Sequence, residues 1–223
     1  MDGEHCEKSV SVMNSPSSSS PETIPEKKTL TDVLRARTLF IIDPVVTFLA
    51  RHGVSPNSLT IAGMLAHFGI AWLIAEGHMQ WAGIAICFVA PLDALDGALA
   101  RKLGGQAGGF GAFLDSTLDR LAEIILFGGF LFYYGRTEQE LLTMTAYIGL
   151  SGSLMVSYTR ARAESLGYSC KIGILSRVER YAVLTLSLLV IRPDIGLIIV
   201  ATFAYITVAQ RIFHVWQQAS RDQ

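Results

Sequence analysis

Asp93, Asp96, Asp115 and Asp119 fall in one run of the chain, D-A-L-D-G-A-L-A-R-K-L-G-G-Q-A-G-G-F-G-A-F-L-D-S-T-L-D, set in one of its most apolar parts. An aspartate at mid-membrane depth costs roughly 2.5 to 3.5 kcal/mol, so four cost on the order of 10 kcal/mol, about the whole stability of a domain. Bound cations are the obvious compensation. If the flanking segments are helices, Asp93 and Asp96 (i, i+3) share one face, and so do Asp115 and Asp119 (i, i+4). Two helices then offer two carboxylates each to a common cleft. An all-oxygen site of that kind suits hard divalent ions such as Mg²⁺ or Mn²⁺ rather than zinc.

The elements that must hold these acids are apolar. Of 223 residues, 51% are hydrophobic and 17% charged, and the net charge is −1. That is more apolar surface than a soluble core of this length hides, and the apolar runs reach the roughly 20 residues that a bilayer requires. The composition predicts an all-α integral membrane protein. A net charge near zero excludes nucleic acid as a partner, because phosphate binding needs a clustered basic surplus. Cys6, Cys87 and Cys170 are scattered, with no metal or redox spacing.

Residues 1–28 are rich in Ser, Pro and Glu and are expected to be a disordered tail without the features of a secretory signal. Residues 29–55 form an amphipathic stretch, apolar at Leu39, Phe40, Val46 and Leu49 against Arg35, Arg37 and Arg51, as expected of an interfacial helix among membrane lipids. A domain of six spans follows over 56–217, at 57–76, 79–102, 110–135, 138–166, 174–192 and 194–217, with a short C-terminal tail at 218–223. Pro91 is expected to kink the second span. Arg51, Arg101, Lys102, Arg160, Arg162, Lys171, Arg177, Arg180 and Arg211 fall at ends on one side, so both termini and the acidic stretch are expected to face the cytoplasm of a multi-pass cell-membrane protein.

The run has the form D-x-x-D-G-x-x-A-R, nine residues, then G-x-x-x-D-x-x-x-D, on Asp93, Asp96, Gly97, Ala100, Arg101, Gly111, Asp115 and Asp119. This resembles the signature of the CDP-alcohol phosphotransferase family, integral membrane enzymes that join a CDP-linked donor to an alcohol and release CMP. The similarity in layout covers roughly residues 31 to 217, including the entry helix and the six spans. A pyrophosphate donor carries charge that must be neutralised before an alcohol attacks phosphorus, and two metals held by four carboxylates do this. The resemblance implies that Asp93, Asp96 and Asp115 bind metal. It implies that Asp119 binds metal and is also the general base on the acceptor hydroxyl. Asp93, Gly97, Ala100, Arg101 and Gly111 are expected to contact the CDP donor, with Gly97 leaving room and Arg101 offering its fork to phosphate. A homodimer is also implied.

A second cluster bears on the acceptor. Arg160 and Arg162 end the fourth span, Arg177 and Arg180 begin the fifth, and Arg211 lies in the sixth. Arginines converging on the face of the metal site point to an anionic acceptor, since guanidinium binds phosphate bidentately. These segments resemble those of family members whose acceptor is inositol phosphate. The expected reaction moves a phosphatidyl group from CDP-diacylglycerol to a phosphorylated polyol, with inositol phosphate ahead of glycerol 3-phosphate. The competing class is a membrane ion-binding or transport protein, which predicts acids spread through the membrane depth rather than gathered in two adjacent spans. His67 is expected to be a packed, hydrogen-bonded residue, and Glu123 either an extension of the acidic site or a helix-to-helix hydrogen bond.

Overall fold

In the computed structural model, residues 43–104 and 109–221 are described, and they are helical with no strand among them. Helix α1 occupies 43–51. It is followed by α2 (Pro56–Ala75), α3 (Met79–Lys102), α4 (Phe110–Arg136), α5 (Glu140–Ser165), α6 (Arg177–Leu189) and α7 (Pro193–Ala219). The expected tail at 1–28, most of the amphipathic stretch and residues 105–108 of the acidic run lie outside the described residues.

Local chemistry sets the ends. The Ser55 hydroxyl accepts the Ser58 N–H at 3.1 Å and Pro56 sits in the first turn, so α2 begins with an orphan donor satisfied. Pro193 likewise sits in the first turn of α7. Helix α3 continues through Pro91. Beyond α6 the chain reaches Ile191 at φ 57°, a left-handed conformation that stops the helix after 13 residues.

Short connections make successive helices alternate in direction, and cross-contacts fix which ends coincide. Arg136 at the C-terminal end of α4 reaches the Ala75 carbonyl and the capping Glu76 at the C-terminal end of α2, so α2 and α4 run parallel. Helix α2 packs along α4, and α5 along α7, with α3 and α6 beside them. Small residues allow the close approach. A Cβ on Gly129 would lie 2.6 Å from the Ala71 carbonyl oxygen, and one on Gly152 would lie 2.9 Å from Ala204 Cβ. The principal core, including Ile74, Ile86, Leu126, Phe130, Leu188 and Val200, joins α2, α3, α4, α6 and α7. A smaller cluster of Val46, Leu59 and Leu99 seats α1 against α2 and the last turns of α3, where Lys102 Nζ also donates to Asp43 Oδ1 at 2.8 Å.

Large apolar side chains such as Trp81, Phe88, Phe132 and Leu141 are exposed while charges such as Arg180 and Glu123 are buried, a distribution suited to lipid rather than water. Among the described residues, four helices, α2, α3, α5 and α7, are long and apolar enough to cross a membrane by length and composition. The six-span expectation meets this count only in part, for two physical reasons. Helix α4 has the length but carries Asp115, Asp119, Arg120 and Glu123 in its first half. Helix α6, with 13 residues, extends about 20 Å against a hydrocarbon core of about 30 Å.

Candidate active site

The C-terminal half of α3 and the N-terminal half of α4 lie at the same end of the bundle, each carrying two of the four aspartates. Asp96 is buried and accepts the Thr60 hydroxyl of α2 at 2.6 Å. Asp119 is also buried, whereas the Asp93 side chain is 45% exposed at the cleft surface. Asp96 lies within charge range of Asp93 and Asp115, and Asp119 within range of the same two. The helical registers read from the sequence therefore put all four carboxylates at the same end of the bundle, with Asp93 and Asp115 within charge range of both buried acids.

A cation is seated among them. Arg177, the first residue of α6, donates from Nη2 to Asp93 Oδ2 at 2.8 Å and from Nη1 and Nη2 to the two oxygens of Asp119. Its guanidinium sits 5.9 Å from the Tyr181 ring centroid. Tyr181 is held in turn by His67. The His67 Nδ1 lies 2.8 Å from the Gly63 carbonyl, which can only accept, so Nδ1 carries the proton and Nε2 accepts from the Tyr181 hydroxyl at 2.8 Å. This is the packed, hydrogen-bonded His67 that the sequence suggested.

Among the described residues, no three or more His, Cys, Asp or Glu side chains stand at closed metal-cluster spacing. The donor set nevertheless fits a hard divalent cation: it is all carboxylate, two of its members are buried, and it already draws a positive group between Asp93 and Asp119.

The residues expected to contact the donor lie on α3 and α4 beside these acids. Gly97 is half-buried, and a Cβ there would come 3.5 Å from Arg101 Nη1, so the Arg101 guanidinium lies back over the glycine. Across from it, a Cβ on Gly111 would come 3.5 Å from Asn57 Oδ1. Ala100 is half-buried one turn on. Asn57 and Thr60 carry the polar groups that the sequence reading missed. Their place at a helix start was visible; that this start abuts the acidic run was not.

The other arginines divide by burial. Arg160 is exposed and bonded through Nε to Glu164 Oε1 at 2.9 Å, and Arg162 is exposed. Arg211 is buried and donates to the carbonyls of Ile172, at 2.9 Å, and Val156, within charge range of Arg160 and Arg180. Arg180 is fully buried: Nε and Nη2 donate to the two Glu123 oxygens at 3.1 and 3.3 Å, and Nη1 donates to the Leu175 carbonyl at 3.4 Å. Of the five, Arg177 meets the acids directly. Arg160 and Arg180 lie within charge range of Arg211, and Arg180 has no open surface. The segment 166–176 is laid along α7 by Leu175 N–H donating to Thr207 Oγ1 at 3.1 Å and Ile174 N–H to Gln210 Oε1 at 3.3 Å. At Gly173, φ 137°, a Cβ would meet Thr207 Cγ2 at 2.4 Å, so only glycine lets this segment lie so close.

Residues 53–216 match the sequence model of CDP-alcohol phosphatidyltransferase. The chain belongs to that family. It is 39% identical over 155 residues to a phosphatidylinositol phosphate synthase of Streptomyces avermitilis, covering 66% of this chain and 62% of that protein. To an archaetidylinositol phosphate synthase of Pyrococcus horikoshii it is 42% identical over 167 residues, covering 74% and 85%. Among solved structures, phosphatidylinositol phosphate synthase of Mycobacterium tuberculosis with CDP-DAG bound superposes with a TM-score of 0.75 at 31% identity, over 79% of this chain and 94% of that one. The same enzyme in complex with manganese and citrate gives 0.74, also at 31% identity, over 78% and 88%.

Proposed function

We propose that this protein is a phospholipid-synthesising phosphatidyltransferase that moves the phosphatidyl group of CDP-diacylglycerol to a phosphorylated polyol, inositol phosphate, and releases CMP. The observation that carries this reading is Arg177. A fork able to bind phosphate stands bonded to Asp119, at the mouth of a four-carboxylate cleft. The relatives named for inositol phosphate products and the CDP-DAG and manganese complexes of the M. tuberculosis enzyme support it.

Asp93, Asp96, Asp115 and Asp119 would hold divalent cations, Mg²⁺ or Mn²⁺ and two in number, which when bound neutralise the donor pyrophosphate. Thr60 fixes the Asp96 carboxylate. Gly97, Ala100 and Gly111 leave room for the nucleotide, Arg101 binds its phosphate, and Asp93 faces both. Asp119 takes the proton of the acceptor hydroxyl. That oxygen attacks the lipid-bearing phosphorus, the bond from phosphorus to the CMP oxygen breaks, and CMP leaves with the electron pair. Arg177, supported by Arg160, Arg162 and Arg211, binds the acceptor phosphate near enough to Asp119 for one polyol to span both. Arg180 belongs to the same cluster from within the protein.

We place this chemistry in a membrane-embedded dimer. All six helices α2 to α7 would occupy the membrane, with α4 and the short α6 sheltered by the other four. Residues 56–217 would be the catalytic domain, 29–55 an interfacial helix, and 1–28 and 218–223 tails. The arginine-rich end, both termini and the site would face the cytoplasm, and two copies would form the working dimer.

The test is CMP release by purified protein given CDP-diacylglycerol, Mg²⁺ or Mn²⁺, and inositol phosphate, glycerol 3-phosphate or free inositol in turn. Turnover is expected with inositol phosphate. Faster turnover with glycerol 3-phosphate would reassign the acceptor, and no release with any acceptor would refute the enzyme reading. In the same assay Arg177→Gln is expected to raise the acceptor KM by about 10- to 100-fold, the value of charge-assisted hydrogen bonds of roughly 1.5 to 3 kcal/mol. The KM for CDP-diacylglycerol should stay within about twofold, because Arg101 holds the donor.

A further inference from the structure

Asp119 and Glu123 lie one turn apart on α4, and Arg177 and Arg180 lie one turn apart on α6. The two pairs form a two-rung ladder, Asp119 to Arg177 at the open cleft and Glu123 to Arg180 beneath it. The lower rung is out of solvent, with side-chain exposures of 0% for Arg180 and 3% for Glu123, and its parallel bonds of 3.1 and 3.3 Å engage both carboxylate oxygens. The backbone of α6 packs against α3 and α7 rather than α4, so near the site these long side chains set the approach of α6 to α4.

A buried ion pair contributes little net stability, because desolvating both partners offsets their attraction, and apolar residues of the same volume do as well or better. What an apolar contact lacks is direction. A guanidinium bonded to both oxygens of one carboxylate fixes the rotation and rise of the first turn of α6 relative to α4. Those two quantities decide where Arg177 stands against Asp119. The third donor of Arg180 holds the Leu175 carbonyl, tying in the segment 166–176 whose Ile172 carbonyl accepts from Arg211. One buried fork thereby connects the proposed base helix, the phosphate-binding Arg177 and the segment carrying the remaining arginines.

We propose that Glu123 and Arg180 are positioning residues for the acceptor: without contacting substrate, they set the spacing between the phosphate-binding Arg177 and Asp119, and so the geometry of phosphorylated polyol that is accepted. The proposal rests on the phosphatidyltransferase reading. It assigns the buried Arg180 an action through Glu123 in place of direct contact with the acceptor phosphate.

The experiment compares wild type with Arg180→Lys, which keeps the buried charge but loses the fork, and with the uncharged double variant Glu123→Gln/Arg180→Met. CDP-diacylglycerol and inositol phosphate are varied independently, and thermal unfolding in detergent is followed in parallel. Arg180→Lys is expected to raise the acceptor KM about tenfold while the donor KM stays within about twofold and the unfolding midpoint within a few degrees. The double variant is expected to fold and to show the same split, with discrimination between inositol phosphate and glycerol 3-phosphate reduced. A folded variant with unchanged acceptor KM and selectivity overturns the proposal. Equal losses for both substrates, or failure of both variants to fold, overturn it too, since either result marks the pair as general structure. A wild type that releases no CMP with any anionic acceptor overturns the functional reading and the proposal with it; normal wild-type turnover with unaltered variants overturns the proposal alone.

Discussion

Asp119→Asn is expected to lower the rate of CMP release by about 10³-fold or more while the protein still folds. Two losses combine. A positioned general base contributes about 10²- to 10⁴-fold, and an amide at pH 7 has no basic oxygen with which to take the acceptor proton. The amide is also a poorer, uncharged metal ligand beside Asp93, Asp96 and Asp115. Stability should change little, because Asn matches Asp in shape, its oxygen still accepts from Arg177, and a buried charge is removed rather than added. The checks are steady-state CMP release and thermal unfolding on the same preparation. Full turnover in the variant would remove Asp119 from the base role, and loss of folding would show that its bond to Arg177 carries structure as well.

The placement of the four acids was legible because helical spacing is local. The spacings of Asp93 to Asp96 and Asp115 to Asp119 are helical, and a helix converts spacing into a shared face without tertiary information. The helices themselves were equally open to reading: the runs expected at 79–102 and 110–135 are helices at Met79–Lys102 and Phe110–Arg136, and of the two α3 has the length and apolarity of a span. The match to the family over residues 53–216 bears out the resemblance carried by the same eight positions.

The arginine half was less legible because direction, not spacing, decides it. Arg177 and Arg180 are one turn apart in a basic, cytoplasmic-looking segment, and no sequence pattern says which reaches the cleft and which enters the core. The answer depends on Glu123, more than 50 residues away, finding Arg180 across the bundle. The polar start of α2 was hidden for the same reason. Thr60 reads as ordinary helix-start chemistry until the bundle brings it to Asp96. The six expected spans exceed the four helices with the length and apolarity of one for a related reason: acids and arginines lower the apolarity of α4, and α6 is 13 residues long.

Removing divalent metal by exhaustive chelation is expected to reduce turnover to below about one percent, with recovery on adding Mg²⁺ or Mn²⁺. The argument is electrostatic. Two unit charges 4 Å apart at an effective dielectric of about 20 interact by about 4 kcal/mol, so four carboxylates in one cleft oppose one another strongly unless cations intervene. Arg177 neutralises Asp93 and Asp119 in part, but it supplies a single positive charge and serves all four acids poorly. A CDP-linked donor adds further negative charge, so without metal it meets a site of its own sign, and Arg101 alone does not offset that. Donor affinity should therefore fall together with turnover, which separates loss of metal from loss of Arg177, where the acceptor alone is affected. Binding of CDP-diacylglycerol in detergent, measured with and without chelator, reads this directly. Unchanged donor affinity and undiminished CMP release in chelator would mean that the four carboxylates do not act through a metal, and the cleft would need a different chemistry.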